Sequence, residues 1–169
     1  GVNSTCANGS LIKVNQNLEK VWVEVELVII IGKECYQISP DEAEEYIFGY
    51  TIGSDITAQN IHDRDHHLSR SKALDQFAPI GPWIDTELNT SHLELFTYIN
   101  GKLYQQGLTS NRVYNDYECV SLLSKYFTLF PGDLIFTGTP AGAMDSIVKP
   151  GDSVLHIIKN LGELTFSIE

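Results

Sequence analysis

Apolar and polar residues alternate through much of this chain at the two-residue period of a strand, and one stretch breaks the rule by being apolar on both faces. Residues 21–31 read Val-Trp-Val-Glu-Val-Glu-Leu-Val-Ile-Ile-Ile. On one strand Val21, Val23, Val25, Leu27, Ile29 and Ile31 share a face, and Trp22, Glu24, Glu26, Val28 and Ile30 share the other. Such a strand is expected to be buried on both sides. A second strand is predicted over 46–55, and a short one around Leu11, Ile12 and Val14. Segments 93–99 and 102–106 flank Asn100-Gly101, a dipeptide that favours a two-residue hairpin turn. Further strands fall at 134–137, 153–159 and 163–168, punctuated by turn residues at 131–133, 149–152 and 160–162. Helix signals are few. Ser39-Pro40-Asp41-Glu42 has capping-box spacing and predicts a short helix over 40–45. Asn115 and Glu118 repeat that spacing ahead of Val120, Leu123 and Phe127, and predict the one long helix over 116–126. Prolines and glycines make 77–83 a rigid, turn-rich passage, while 57–72 is a long polar stretch of the kind that is more often functional than idle. The expected fold is mainly β, of the α+β class, with two short helices packed on mixed sheets.

Two carboxylates inside the apolar run raise a question of charge. No Lys or Arg lies between Lys20 and Lys33 to neutralise Glu24 and Glu26, and an unpaired buried carboxylate is costly. At i and i+2 on one strand face their Cα atoms stand roughly 6.6 to 7 Å apart. Both could therefore reach one cation, and with neither Cys nor His beside them a hard divalent ion with oxygen ligands is the natural candidate. The alternative is a sheet face open to solvent that needs no ion. Asp55, at the end of the 46–55 strand, offers a third ligand, and Gly49 and Gly53 in that strand permit close approach of a neighbouring backbone.

Composition narrows the class. The chain has 169 residues, 43% of them hydrophobic and 20% charged, which suits a single domain over 1–169 with a substantial core. A formal net charge of −11 disfavours nucleic acid, which is held by Lys and Arg. The longest uninterrupted apolar run, Leu27 to Ile31, is far short of the roughly 18 residues of a membrane helix. Cys6, Cys35 and Cys119 are an odd, scattered set without metal-ligand spacing, so reduced thiols and a cytoplasmic setting are expected.

Four motifs, taken together, resemble the fumarylacetoacetate hydrolase family: Glu24-Val25-Glu26, the run Gly49-Tyr50-Thr51-Ile52-Gly53-Ser54-Asp55, the stretch from Lys72 to Trp83, and Pro131-Gly132-Asp133-Leu134-Ile135-Phe136-Thr137-Gly138-Thr139-Pro140. The resemblance runs from about Ser4 to the C-terminus. It implies the β-sandwich roll of the family's C-terminal domain, a homodimer, and Mg²⁺, Mn²⁺ or Ca²⁺ at the mouth of the roll. By position Glu24, Glu26 and Asp55 look like the metal ligands, Lys72 like the active-site lysine, and Thr139, with Gly138 beside it, like the residue that holds the substrate carboxylate. The implied reaction is hydrolysis of the C–C bond of an acylpyruvate, a 2-oxo acid such as fumarylpyruvate. Decarboxylation and isomerisation are the rival reactions within the family, and a non-catalytic β domain with a structural cation is the rival outside it. The chemistry agrees, since three carboxylates leave about half the octahedral positions of Mg²⁺ for substrate and water, and an ion so placed stabilises enolate charge.

Two departures from the family pattern bear on mechanism. The His-x-x-Glu pair usually carried on a lid is missing, and Gly1-Val2-Asn3 resembles the segment before that lid, so a lid segment is expected to be lacking between Asn3 and Ser4. Where many members read Ala-Arg-Asp-x-Gln, this chain reads Ala58-Gln59-Asn60-Ile61-His62, which makes His62 a candidate proton carrier or a polar wall of the site. Other candidates are weaker. His62, His66 and His67 match no standard zinc spacing. The loop over 137–142 lacks the Gly-Lys-Ser/Thr ending of a phosphate loop. Arg112 either reaches a substrate carboxylate or makes a local ion pair.

Overall fold

In the computed structural model, which describes residues 1–60 and 68–169, the long apolar run is divided between two sheets. In chain order the elements are β1 Thr5–Cys6, β2 Leu11–Ile12, β3 Val21–Trp22, β4 Val25–Ile31, β5 Ile47–Ser54, β6 Thr57–Ala58, α1 Ser69–Lys72, β7 Ala78–Pro79, β8 Glu94–Ile99, β9 Lys102–Leu108, α2 Asp116–Ser124, β10 Leu134–Phe136, β11 Ile147–Val148, β12 Ser153–Ile158 and β13 Gly162–Ile168. The expected strand over 21–31 is therefore β3 and β4, with a break at Val23 and Glu24. β3 pairs with β6 and β11, whereas β4 lies between β10 and β5. Each half has its own partners, and the backbone turns from one set to the other where Val23 donates to the Ser146 carbonyl at 3.1 Å.

All seven residues of β4 are buried, as a strand apolar on both faces requires. The largest sheet runs β2-β13-β12-β8-β9. Its inward residues Leu95, Ile99, Val154, Ile158, Leu164 and Phe166 join Leu27, Ile29 and Ile52 of β4 and β5 in one hydrophobic cluster. The mainly β, mixed-sheet fold is thus built on a single core, with β4 and β5 over the five-stranded sheet. Close approach explains Gly53, where a Cβ would stand 2.6 Å from both the Phe136 ring and Val28 Cγ2.

The β8–β9 hairpin turns on Asn100 and Gly101, whose φ angles of 50° and 79° are those of the expected tight turn. Asn115 and Glu118 cap α2 reciprocally, side chain to backbone at each end of the box. Only half of the Ser39–Glu42 box forms: Glu42 accepts from the Ser39 amide at 2.9 Å and from the Ser39 hydroxyl at 2.7 Å, while the Glu42 amide donates to the Ser39 carbonyl, and a 3₁₀ turn, Ala43–Tyr46, follows rather than an α-helix over 40–45. The chain must enter β5 at Ile47, which leaves too few residues to repay helix nucleation. The second α-helix is instead α1, inside the polar 57–72 stretch. Residues 77–83 are fixed as expected: Ile80 and Gly81 donate to Cys6 and Ile52, and β7 pairs with β1.

Candidate metal centre

β4, β5 and α1 bring the candidate residues to one place. The Asp55 amide donates to the Glu24 carbonyl at 2.9 Å, so the end of β5 is stitched to the β3–β4 break. Glu24, Glu26 and Asp55 each contribute a carboxylate oxygen to a cluster whose members lie within 4.8 Å of one another. Glu26 is 3% exposed and Glu24 and Asp55 are partly buried, so the alternative of a solvent-open sheet face does not hold. Further contacts orient the carboxylates. Trp22 Nε1 and Thr57 Oγ1 donate to Glu24 Oε1, at 2.5 and 3.3 Å. The Gly138 amide donates to Glu26 Oε2 at 2.6 Å.

Lys72, at the end of α1, extends its ammonium into this cluster. It pairs closely with Asp55, lies 3.4 Å from Glu24 Oε2 and donates to Thr57 Oγ1 at 3.0 Å. Burial opposes the Lys72 charge, but the hydrogen bond to Asp55 and the surrounding acids outweigh it and hold its pKa above the ordinary value. Burial pushes the Glu26 carboxyl up to about 8, against the Gly138 hydrogen bond and with the charges of Asp55 and Glu24 adding to the rise. Asp55 is raised by burial as well, in spite of Lys72. Glu26 and Asp55, both held toward their neutral forms by burial, converge with Glu24 in a cluster that presents only oxygen donors, which fits a hard divalent cation.

The loop after β10 connects the cluster to a cleft of about 340 Å³, within the size range of small-ligand sites. Gly138, Thr139, Leu27, Leu95 and Arg112 are among its walls, and Gly138 bonds Glu26 from one side while facing the cleft from the other. Arg112 donates to Asp116 at 2.6 Å and to the Thr109 carbonyl at 3.1 Å, so the local ion pair exists while the side chain still lines the cleft. His62 lies outside the described residues, as do His66 and His67. Among the described residues no helix is long and apolar enough to cross a membrane, and the three cysteines are free thiols.

Sequence reasoning missed Trp22 and Thr57, which steer Glu24, and a buried set behind the cleft formed by Ser54, Thr97, Gln105 and His156. Thr97 sits between Leu95 and Ile99, and His156 between Val154 and Ile158, at alternate inward positions. A polar residue interrupting an apolar face was the available signal.

The whole chain, residues 1–169, matches the family model described as fumarylacetoacetate (FAA) hydrolase C-terminal. An uncharacterized protein of Methanocaldococcus jannaschii is 41% identical over 146 residues, 86% of this chain and 61% of its own length. A fumarylacetoacetate hydrolase domain-containing protein 2 homolog of Dictyostelium discoideum is 36% identical over 187 residues, covering 99% of this chain and 61% of its own length. The 4-hydroxyphenylacetate degradation bifunctional isomerase/decarboxylase of Salmonella dublin is 40% identical over 156 residues, 90% of this chain and 36% of its own. Among solved structures, the 2-hydroxyhepta-2,4-diene-1,7-dioate isomerase of Mycobacterium marinum superposes with a TM-score of 0.92 at 37% identity, covering 98% of this chain and 65% of its own. The fumarylpyruvate hydrolase of Pseudomonas aeruginosa, in complex with Mn²⁺ and pyruvate, gives 0.89 at 31% identity, covering 98% and 75%. The chain spans about three fifths of the length of the first two of these relatives.

Proposed function

Because the chain belongs to the fumarylacetoacetate hydrolase family, we propose that it is the catalytic domain of a divalent-metal-dependent enzyme that hydrolyses the C–C bond of an acylpyruvate such as fumarylpyruvate. The observation that carries this reading is the convergence of Glu24, Glu26, Asp55 and Lys72 beside the Gly138–Thr139 wall of a cleft. The carboxylates would hold Mg²⁺ or Mn²⁺, which supplies a Lewis acid for enolate charge when bound; a relative of known structure carries Mn²⁺ with pyruvate. Lys72 adds a fixed positive charge facing the same oxygens, already oriented by Asp55 and Thr57. Thr139 receives the 2-oxo acid carboxylate. Water adds hydroxide to the acyl carbonyl, the C–C bond breaks toward the pyruvate carbon, and protonation of the resulting enolate gives pyruvate and the free acid.

A base must take the proton of that water. The carboxylates are committed to the metal, and among the described residues no histidine lies in the cluster. A lid segment is the proposed source, lacking here between Asn3 and Ser4. The Dictyostelium match supports it, since its 187 aligned positions exceed the 169 residues of this chain and the relative therefore carries extra residues within the matched span. Decarboxylation or isomerisation of an unsaturated hydroxy-diacid is the second reading, favoured by that same lack of a base and by the activities named for the Salmonella protein. A homodimer is part of the proposal, supported by an open apolar cleft of about 880 Å³ that Ile30, Ile80, Trp83, Leu134 and Phe136 help to line.

The test is turnover of fumarylpyruvate by the full-length protein, with Mg²⁺ or Mn²⁺ and then with chelator, following enol absorbance and identifying products. Equal release of pyruvate and fumarate only with metal supports hydrolysis. Carbon dioxide or an isomer moves the assignment to the second reading. Metal binding without turnover overturns both and leaves a structural cation.

A further inference from the structure

Behind the cleft, a fully buried run of polar groups joins the Thr139 loop to the strand end that carries Asp55. Gln105 is 1% exposed, and Thr97, His156 and Ser54 are at 0%. Gln105 Nε2 donates to Thr139 Oγ1 at 2.9 Å and to the Pro140 carbonyl at 3.0 Å. Gln105 Oε1 accepts from Thr97 Oγ1 at 2.7 Å and from the Val25 amide at 3.4 Å. Thr97 Oγ1 lies 3.0 Å from His156 Nδ1, and His156 Nε2 lies 2.9 Å from Ser54 Oγ.

The direction of the bonds from Gln105 as far as His156 follows from two backbone groups. The Pro140 carbonyl only accepts and the Val25 amide only donates, so the Gln105 side chain has one admissible orientation. Thr97 must then spend its single proton on Gln105 Oε1. It accepts from His156, which places the histidine proton on Nδ1 whether or not the ring is charged. His156 is fully buried, and burial lowers its pKa to about 3, so the ring is neutral and Ser54 donates to Nε2. At the other end Thr139 Oγ1 accepts from Gln105, which leaves the hydroxyl of this cleft-lining residue its own proton to donate elsewhere.

We propose that Gln105, locked by Thr97 and His156 behind it, is a positioning residue that commits the Thr139 hydroxyl to donate its hydrogen bond into the cleft. Groups that accept, above all a carboxylate, are favoured there. This rests on the reading of the cleft as the 2-oxo acid site, and it adds to that reading the machinery that sets the polarity of one wall.

The experiment titrates pyruvate into Mn²⁺-loaded full-length protein by calorimetry, after measuring Mn²⁺ affinity alone. Gln105→Met keeps the side-chain length and removes all four side-chain hydrogen bonds, the one to Thr139 among them. It is expected to weaken pyruvate about tenfold, the scale of one hydrogen bond to a charged group, with Mn²⁺ affinity within about twofold of wild type. In a Thr139→Val background the same change is expected to have no further effect, because Gln105 acts through Thr139. Thr97→Val is expected to weaken pyruvate about threefold and Thr97→Ser to restore it, which keeps the test decisive if Gln105→Met does not fold. Wild-type pyruvate affinity in Gln105→Met and Thr97→Val, additive losses with Thr139→Val, or parallel loss of Mn²⁺ and pyruvate would each overturn the proposal alone. Wild-type protein that holds Mn²⁺ but takes up no pyruvate would overturn the cleft reading itself.

Discussion

Replacing Glu26 by glutamine separates what the carboxylate does for the metal from what it costs the fold. Glu26 is 3% exposed, and its pKa is pushed from 4.5 up to about 8, chiefly by burial. Between those values the folded protein keeps a proton that the unfolded chain has released, so Glu26 makes stability fall as pH rises through this window. At 1.36 kcal/mol per unit, the penalty is about 1 kcal/mol at pH 5.5 and about 3 kcal/mol at pH 7. Glutamine carries no charge, fills the same volume and still offers an oxygen to the Gly138 amide. In chelator, Glu26→Gln should therefore be more stable than wild type by about 3 kcal/mol at pH 7, and by much less at pH 5.5. Mn²⁺ binding should show the reverse. Wild type must lose a proton to bind, so its affinity should climb with pH up to about 8, by about tenfold per unit, while Glu26→Gln binds weakly throughout. Urea denaturation with chelator at pH 5.5, 7 and 8, paired with Mn²⁺ titration, measures both. A stability difference that does not change with pH, or a variant less stable than wild type at pH 7, would refute the assignment of Glu26 as the buried acid that the metal relieves.

Other substitutions test other parts. Glu24→Ala should abolish Mn²⁺ binding measured by calorimetry, and wild-type affinity in that variant would remove Glu24 from the ligand set. Lys72→Met should lower kcat on fumarylpyruvate by about a hundredfold or more, as expected for a group that stabilises developing charge, with the metal still bound; an unchanged kcat would make Lys72 structural. Arg112→Ala leaves Asp116, which is 5% exposed, without its cation, and should cost about 3 kcal/mol in urea denaturation. A change confined to KM would instead make Arg112 a substrate contact. Gly101→Ala puts a Cβ at a φ of 79° and should cost about 1 kcal/mol, read as a lower unfolding midpoint with the same slope.

What the sequence made legible was local. Asn100-Gly101 and the Asn115–Glu118 box carry their turn and cap within a few residues, and both formed where expected. Glu24 and Glu26 stood out because charge inside a two-faced apolar run demands a partner. The break at Val23 and Glu24 was not legible, since it depends on β6 and β11 claiming one half of the run and β5 and β10 the other, and those partners lie far along the chain. Helix α1 was hidden because four residues show no period, and it follows a residue, Leu68, at a positive φ of 58° that its type rarely adopts. The Ser39 box misled because a cap signals where a helix can start, not whether enough chain follows to build one. Gln105, Thr97 and His156 were passed over for a similar reason: each sits in a strand pattern that explains its position, and only the meeting of β8, β9 and β12 makes them one network.

The measurement that bears most directly on the account is anomalous diffraction from crystals of the full-length protein grown with Mn²⁺ and pyruvate. The account predicts one Mn²⁺ peak bounded by Glu24, Glu26 and Asp55, with the pyruvate carboxylate accepting from the Thr139 hydroxyl. A peak elsewhere, or a metal on those carboxylates with pyruvate held away from Thr139, would contradict it.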